Sequence, residues 1–178
     1  MKKLFALLLT LAILLSLAAC VQSIPENTTT APETAGSTAE STVQTTAPTV
    51  YTTPEGEIIS VEEGGTYNSK EEVALYIHLY GCLPRNYVTK SYATDTLGCS
   101  TSRVQEYWPD GAIGGDIFQN REGLLPKKDG RTYYECDIDT WGRGSRGTKR
   151  IVFSSDGLVF YTDDHYASFT LMYGDPDA

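Results

Sequence analysis

The run Gly-Gly-Asp-Ile-Phe-Gln-Asn-Arg-Glu-Gly at residues 114–123 decides how the rest of the chain is interpreted. Its first half has the composition of a strand, and its second half is a tight polar loop. The loop presents the ring of Phe118, the main-chain amides of residues 119–121 and the carboxylate of Glu122. An aromatic face beside hydrogen-bonding groups predicts a pocket of the size of a nucleobase.

Strand-like runs surround this loop, and helix signals precede it. Ser69-Lys70-Glu71-Glu72 is a capping box that predicts a first helix ending at Gly81, and a second helix is expected from Thr89 to Gly98. Residues 99–112 are expected to form a loop. Five strands are predicted at residues 113–118, 132–139, 150–154, 158–162 and 168–172. The fold class is therefore α+β, with N-terminal helices packed on a five-stranded antiparallel sheet.

The strand at residues 132–139 divides its side chains between packing and chemistry. Alternation places Tyr133, Glu135 and Asp137 on one face. Cys136 and Ile138 lie on the other face, which we assign to the core under the helices. Cys136 is then a small apolar residue and not a nucleophile, and Glu135 faces the open side of the sheet.

Downstream of the loop, Glu135, Arg146, Arg150 and His165 follow one another in an order that resembles the barnase and binase family of small secreted bacterial ribonucleases. The resemblance covers roughly residues 66–171 and includes Lys90 at the start of the second predicted helix. It implies an endonuclease of single-stranded RNA in which Glu135 is the general base and His165 the general acid. Arg146, Arg150 and Lys90 would stabilise the phosphate charge.

The same resemblance implies that cleavage occurs 3′ of guanosine and passes through a 2′,3′-cyclic phosphate, without a metal ion or cofactor. The residues implied in binding the base and its neighbour are Phe118, Gln119, Asn120, Arg121, Glu122 and Tyr166. For Phe118, burial in the strand core is an alternative. The implied supporting residues are Asp137, which would brace the two arginines, and the pair Arg131 and Asp156, which would join two strand ends.

Three features differ from the typical family pattern. Gln119 stands where a serine is usual, and one extra residue falls between Asp139 and Arg146. Cys82 and Cys99 are also unusual. Because they flank the second predicted helix, we expect them to form a disulfide in an oxidising exterior.

The N-terminus predicts export and anchoring. Residues 1–20 have two lysines, an apolar run from Leu4 to Leu15 and a lipobox-like Leu17-Ala18-Ala19-Cys20, which would make Cys20 the lipidated first residue of the mature chain. An ordinary secretory signal cleaved near Ala19 is the alternative. Residues 21–56 are rich in Thr, Ser and Pro and predict a disordered tether. The ribonuclease-like domain is expected at residues 57–178, on the outer face of a bacterial cytoplasmic membrane.

Charge and ligand spacing limit the remaining possibilities. Residues 57–178 contain nineteen acidic and twelve basic side chains, so long-range attraction to RNA is expected to be weak. No spacing typical of metal ligands occurs, which disfavours a metal-dependent nuclease. The expected partners are single-stranded RNA and an inhibitor similar to barstar, and the expected state is a monomer. A nucleotide-binding or protein-binding surface lipoprotein without turnover is the alternative function.

Overall fold

The computed structural model describes residues 48–53 and 56–178. The predicted signal segment, Cys20 and most of the predicted tether lie outside the described residues. The strands are β1 (Thr49–Thr52), β2 (Ile58–Val61), β3 (Tyr87–Val88), β4 (Ala112–Phe118), β5 (Tyr133–Asp137), β6 (Arg150–Ser154), β7 (Val159–Thr162) and β8 (Thr170–Tyr173). The helices are α1 (Lys70–Tyr80) and α2 (Val104–Tyr107), with a π-helical turn at Tyr92–Thr96 and a 3₁₀ turn at Thr101–Arg103. Within the described ranges, no helix has the length and apolarity needed to cross a membrane.

The main sheet has six strands in the order β3-β4-β5-β6-β7-β8. Strands β4 to β8 form an antiparallel meander, as predicted, but β3 pairs parallel to β4 and makes the sheet mixed. The prediction of a purely antiparallel five-stranded sheet is therefore wrong. Asn86 explains the extra strand. Its buried side chain donates to the carbonyls of Tyr67 and Asp110 at 3.0 Å each, which holds the chain against the start of β4.

Helix α1 begins and ends as the sequence predicts. Ser69 Oγ accepts a hydrogen bond from Glu72 N at 3.4 Å and donates to Glu72 Oε2 at 2.6 Å, and Gly81 ends the helix in the left-handed conformation. One face of α1 packs its buried Val73 and Ile77 against the sheet. Cys136 and Ile138 lie in the same core cluster, as the strand alternation predicts.

A second face of α1 is covered by a hairpin that the sequence did not predict. Strands β1 and β2 pair antiparallel, and Val61 is fully buried against Leu75 and Tyr76 of α1. Tyr51 contacts the ring of Tyr173 edge-on, with centroids 6.2 Å apart. Residues 49–52, which the sequence analysis placed in the disordered tether, thus form an exposed strand paired with β2.

The region between α1 and β4 contains more helix than expected. A helical turn does lie between Thr89 and Gly98, but residues 92–96 have π-helical hydrogen bonding. Residues 99–112 were predicted as loop and instead contain a 3₁₀ turn and α2. Burial of Val104 against Ala93 and Ile113 accounts for the local helical structure.

Cys82 and Cys99 are both free thiols in the structure, so the predicted disulfide is wrong. Cys99 is buried in the cluster with Ala93 and Val104, and its Sγ donates to the Ala93 carbonyl at 3.5 Å. Cys82 instead lies exposed just after α1. Flanking the same helical segment did not bring the two side chains together, because one is directed into the core and the other to solvent.

Gly114 and Gly115, at the start of the run at residues 114–123, permit a close approach of strands β4 and β5. A Cβ at Gly114 would lie 2.5 Å from the Cβ of Cys136, and Gly115 has a φ of +93° beside a break in the β4–β5 register. Gly115 is thus suited to a conformation that other residues rarely adopt. The irregularity precedes Asp116, whose carboxylate accepts a hydrogen bond from Lys90 N at 3.1 Å.

The predicted contact between Arg131 and Asp156 is present at the far end of β5 and β6. Arg131 Nε lies 2.9 Å from both carboxylate oxygens of Asp156, and Ser154 Oγ donates to Oδ1 at 2.6 Å. The hydrogen bonds from Arg131 and Ser154 lower the pKa of Asp156 to about 2. This carboxylate therefore favours the folded state at neutral pH.

Replacing Asp156 with Asn should lower the free energy of unfolding at pH 7, because it weakens the hydrogen bonds from Arg131 and Ser154. The loss should be only about 0.5–1 kcal/mol, because solvent screens this partly exposed pair. The contribution is complete above the unfolded pKa of about 3.9 and is lost as the pH falls towards 2. Urea unfolding of both proteins at pH 7 and pH 2.5 measures it. A difference between the two proteins that is equal at both pH values would contradict this assignment.

Candidate active site

Glu135 occupies the centre of the open face of the sheet, where the alternation on β5 predicts it. Lys90 Nζ forms an ion pair with Glu135 Oε1, and the hydroxyl of Tyr166 donates to Oε2. Lys90 Nζ also lies 4.0 Å from Asp116 Oδ2. Three segments that are distant in sequence thus meet at one carboxylate that is 8% exposed.

The pKa of Glu135 is set by two opposing effects. Burial disfavours the charged carboxylate and by itself raises the pKa. Hydrogen bonds from Lys90 and Tyr166 and the positive charges of Lys90 and Arg146 outweigh burial, so the pKa is lowered overall. Burial and the contact with Glu135 raise the pKa of the Tyr166 hydroxyl, which therefore remains a donor. Glu135 is consequently an ionised hydrogen-bond acceptor at neutral pH.

Asp137 lies two residues further along β5 and binds both predicted arginines. Arg146 donates to it through Nε at 2.6 Å and Nη2 at 2.9 Å. Arg150 Nε lies 2.8 Å from Asp137 Oδ1, outside hydrogen-bond geometry, so this contact is an ion pair. Asp137 therefore braces the two guanidiniums, as predicted.

The two arginines differ in how much surface they keep. The Arg150 side chain is almost fully buried, and its Nη1 donates to the carbonyls of Arg146 and Lys149 at 3.2 and 2.7 Å. The Arg146 side chain remains 24% exposed on the open face. Arg146 can therefore contact a ligand directly, whereas Arg150 contributes mainly fixed positive charge.

His165 and Tyr166 lie together in the loop between β7 and β8. The imidazole of His165 is exposed, and its ring centroid is 4.9 Å from that of Tyr166. Arg150 Cζ lies 6.0 Å from the centroid of the Tyr166 ring. Because Tyr166 also contacts Glu135, this one ring connects the predicted base with the predicted acid.

Phe118 lies at the boundary between core and site. It stacks on Tyr166 with centroids 5.1 Å apart and contacts Phe169 edge-on at 5.9 Å. Its ring is partly buried beside a core cluster that includes Tyr133 and Phe160. The two interpretations of Phe118 are thus compatible, since one side of the ring packs on the domain.

Asn120 holds the polar loop in the second half of the run at residues 114–123, which we call the recognition loop. Its Oδ1 accepts from Leu125 N at 3.1 Å and its Nδ2 donates to Leu125 O at 2.9 Å, while its main chain has a φ of 44°. This buried side chain is therefore used to shape the loop. Gln119, Arg121 and Glu122 are all exposed and available to a ligand.

A cavity of about 540 Å³ lies against residues 117–121 and residues 126–128 and 131–133. Its lining includes the basic side chains of Arg121, Lys127, Lys128 and Arg131, but neither Glu135 nor His165. The residues predicted to be the general base and the general acid thus lie outside this cavity. Among the described residues, no group of three or more His, Cys, Asp and Glu is arranged to hold a metal ion.

One residue of the His165 loop was missed by the sequence analysis. Asp164 precedes the predicted acid and accepts hydrogen bonds from its own loop and from Thr162 at the end of β7. The spacing Asp164-x-x-x-Ser168 is the available signal, because aspartates often bind main-chain amides a few residues ahead in turns. That pattern is too common to identify a site without a structure.

Comparisons with known proteins give a consistent result. A family described as ribonuclease matches residues 70–173 of the chain. A ribonuclease of Bacillus intermedius is 48% identical over 105 residues, which are 58% of this chain and 64% of that protein. A ribonuclease of Heyndrickxia coagulans is 47% identical over 104 residues, 57% of this chain and 94% of that protein.

A more distant relative, guanyl-specific ribonuclease Sa of Kitasatospora aureofaciens, is 40% identical over 82 residues. That alignment covers 45% of this chain and 81% of the relative. The chain thus spans slightly less than two thirds of the Bacillus protein, but most of the two smaller relatives.

Removing either donor to Glu135 should raise the pKa of its carboxyl group, because burial would then be less opposed. The variants are Lys90→Ala and Tyr166→Phe, and the measurement is a ¹³C NMR titration of the glutamate carboxyl carbons. Glu135→Gln assigns the signal, and Arg103→Ala, which removes a surface partner of Glu106, is the control. An unchanged Glu135 titration in both variants would show that neither contact matters in solution.

Proposed function

Because the chain belongs to the ribonuclease family, we propose that it is an endoribonuclease that cuts single-stranded RNA 3′ of guanosine without a metal ion. The family match at residues 70–173 contains every proposed catalytic residue. The observation that carries the proposal is the ionised Glu135, held between Lys90 and Tyr166 beside the His165 loop. A site that only bound RNA would not require a buried, ionised carboxylate whose tyrosine partner lies beside an imidazole.

The proposed first step is an internal transfer of the phosphodiester. Glu135 takes the proton of the ribose 2′-hydroxyl, and the 2′ oxygen attacks the adjacent phosphorus. The bond to the 5′ oxygen of the next nucleotide breaks, and His165 donates a proton to that oxygen. The products are a 2′,3′-cyclic phosphate and a free 5′-hydroxyl. In a slower second step, water opens the ring while the two residues exchange roles.

The lowered pKa of Glu135 supports its role as the base, since the carboxylate is ionised at neutral pH. A strongly stabilised carboxylate is a weaker proton acceptor in the ground state. The same ammonium and hydroxyl, however, hold it in a single orientation on the open face. Positioning of this kind is commonly a large part of such rate enhancements.

Charge on the non-bridging phosphate oxygens is proposed to be stabilised by Arg146 and Lys90, with Arg150 behind them. Arg146 is suited to direct contact because it keeps an exposed edge while Asp137 fixes its plane. Planar guanidiniums bind phosphate oxygens in a bidentate manner. Because the guanidinium is already oriented before the phosphate binds, little free energy is spent on reorganising it.

Guanine selectivity is proposed to come from the recognition loop. Glu122 would accept from N1 and N2 of guanine, and the main-chain amides of Asn120 and Arg121 would donate to O6. The bonds between Asn120 and Leu125 support this, because they hold the loop before any ligand binds. Adenine would leave these groups unpaired, which costs a few kcal/mol.

The decisive experiment is digestion of a defined single-stranded RNA in the presence of a chelator, with the cut ends identified by mass spectrometry. We expect cuts after guanosine that carry cyclic phosphates, and no cleavage of DNA of the same sequence, since DNA lacks the 2′-hydroxyl. Glu135→Gln and His165→Ala should each lower kcat/KM by about 10²–10⁴-fold.

The chain provides matched controls for both substitutions. His78 is the other of its two histidines and lies on helix α1, stacked on Tyr173, so His78→Ala should retain activity. Glu106→Gln, at an exposed ion pair with Arg103, is the control for Glu135→Gln. Binding of RNA without cleavage by the wild type would instead support the non-catalytic alternative.

The same proposal includes export and lipid anchoring at Cys20, and its support is the sequence of residues 1–20 alone. In a bacterial host, the full chain should incorporate a labelled fatty acid and fractionate with membranes. Cys20→Ser should abolish the label and release the domain. Equal labelling of the two chains, or no labelling of the wild type, would contradict the anchor and leave the activity untouched.

A further inference from the structure

The loop that carries His165 and Tyr166 has an unfavourable backbone. Both residues have positive φ angles, 59° and 75°, although neither is a glycine. Such conformations cost free energy for residues with a Cβ, and they persist only where surrounding contacts compensate. The compensation must act on residues 163–169, which connect β7 to β8.

The carboxylate of Asp164 supplies that compensation. Its Oδ1 accepts from Thr162 Oγ1 at 2.8 Å, from Ala167 N at 2.9 Å and from Ser168 N at 3.0 Å. Its Oδ2 accepts from Ser168 Oγ at 2.6 Å. Hydrogen bonding, first from the Ser168 hydroxyl, lowers the pKa of Asp164 to about 2, so the carboxylate is charged at any pH near neutrality.

The effect of this hydrogen-bond acceptor extends to Tyr166 through Thr162. A carboxylate only accepts hydrogen bonds, so the single proton of the Thr162 hydroxyl points at Asp164. The lone pairs of that oxygen are then available to accept from Tyr166 N, which lies 3.1 Å away. Thr162 is 2% exposed, which leaves little freedom for another arrangement.

The loop positions both ends of the proposed reaction. The ring of Tyr166 stacks on Phe118, and its hydroxyl donates to Glu135. The imidazole of His165 lies beside the same ring. A second tie, from Thr148 Oγ1 to Asp163 O at 2.6 Å, connects the loop to the segment between Arg146 and Arg150.

We propose that Asp164 is the positioning residue of this site: it contacts no substrate, and it holds His165 and Tyr166 in the backbone conformation that places the acid opposite Glu135. This inference rests on the proposed ribonuclease function. Its consequence is specific, because displacing a proton donor by about 1 Å can cost about 10²-fold in rate while substrate binding changes little.

The test compares Asp164→Ala with Asp164→Asn in the full-length protein, using a guanosine-containing dinucleotide substrate at a temperature well below each Tm. We expect Asp164→Ala to lower kcat by about 10–100-fold with KM within about 3-fold of the wild type. Asp164→Asn should recover most of kcat. Its amide oxygen can still accept from Thr162, Ala167 and Ser168, and its amide nitrogen can donate to Ser168 Oγ.

Asp156→Ala is the matched control. Like Asp164, Asp156 accepts from a nearby serine hydroxyl and lies in a connection between two strands, but this connection joins β6 to β7. Asp156→Ala should lower Tm by a few degrees without changing kcat. Ser168→Ala removes one bond to Asp164 and should lower kcat by about 2–5-fold; this milder variant decides the matter if Asp164→Ala does not fold.

A merely structural role has a different signature. The proposal is overturned if Asp164→Ala and Ser168→Ala have a lower Tm but the same kcat as the wild type, which is the result expected for Asp156→Ala. The ¹H–¹⁵N signals of the His165 ring supply a readout independent of activity, and they should shift and broaden in Asp164→Ala and not in Asp156→Ala. Should the wild type not cleave RNA, the proposed function fails, while these signals still decide whether Asp164 positions His165.

Discussion

Two carboxylates side by side on one face of β5 are the constraint around which this site is organised. Glu135 and Asp137 are 8% and 1% exposed. Burying a charge is costly unless it is paired and hydrogen-bonded. Lys90 reaches Glu135 from one segment of the chain, and Arg146 and Arg150 reach Asp137 from another. The cations that offset the cost of burying these two carboxylates thus also supply the positive charge that a phosphodiester under attack would need.

The sheet separates this chemistry from its support. On the helix side, Cys136 and Ile138 pack under α1, and burial raises the pKa of the Cys136 thiol well above its usual value, so it remains neutral. On the open side, Arg146 and Arg150 differ in how exposed they are. Arg150 is committed to Asp137 and to main-chain carbonyls, whereas Arg146 keeps an exposed edge. A rigid inner cation behind a more accessible one is a suitable arrangement for holding an anion without reorganisation.

Features set by local interactions were predicted well from the sequence. The capping box at Ser69 and the stop at Gly81 act within one helical turn, and the alternation on β5 follows from strand geometry alone. Features that depend on distant partners were not. Strand β3 exists because Asn86 joins segments near residues 67 and 110, and β1 pairs with β2, whose Val61 packs on the apolar face of α1. The prediction of a disulfide was wrong for the same reason, because Cys99 is buried in a core cluster that no local pattern reveals.

By itself, the sequence determined the α+β class, the antiparallel meander and the identity of the side chains at the proposed catalytic centre. Helix periodicity and strand alternation carry the class and the meander, whereas the catalytic side chains follow from the resemblance to the barnase and binase family. Only the tertiary structure decided which donors hold Glu135, how unequally the two arginines are exposed, and that Asp164 fixes the loop of His165. Hydrogen-bond partners, burial and left-handed backbone conformations are properties of segments brought together in space, and a linear pattern does not specify them.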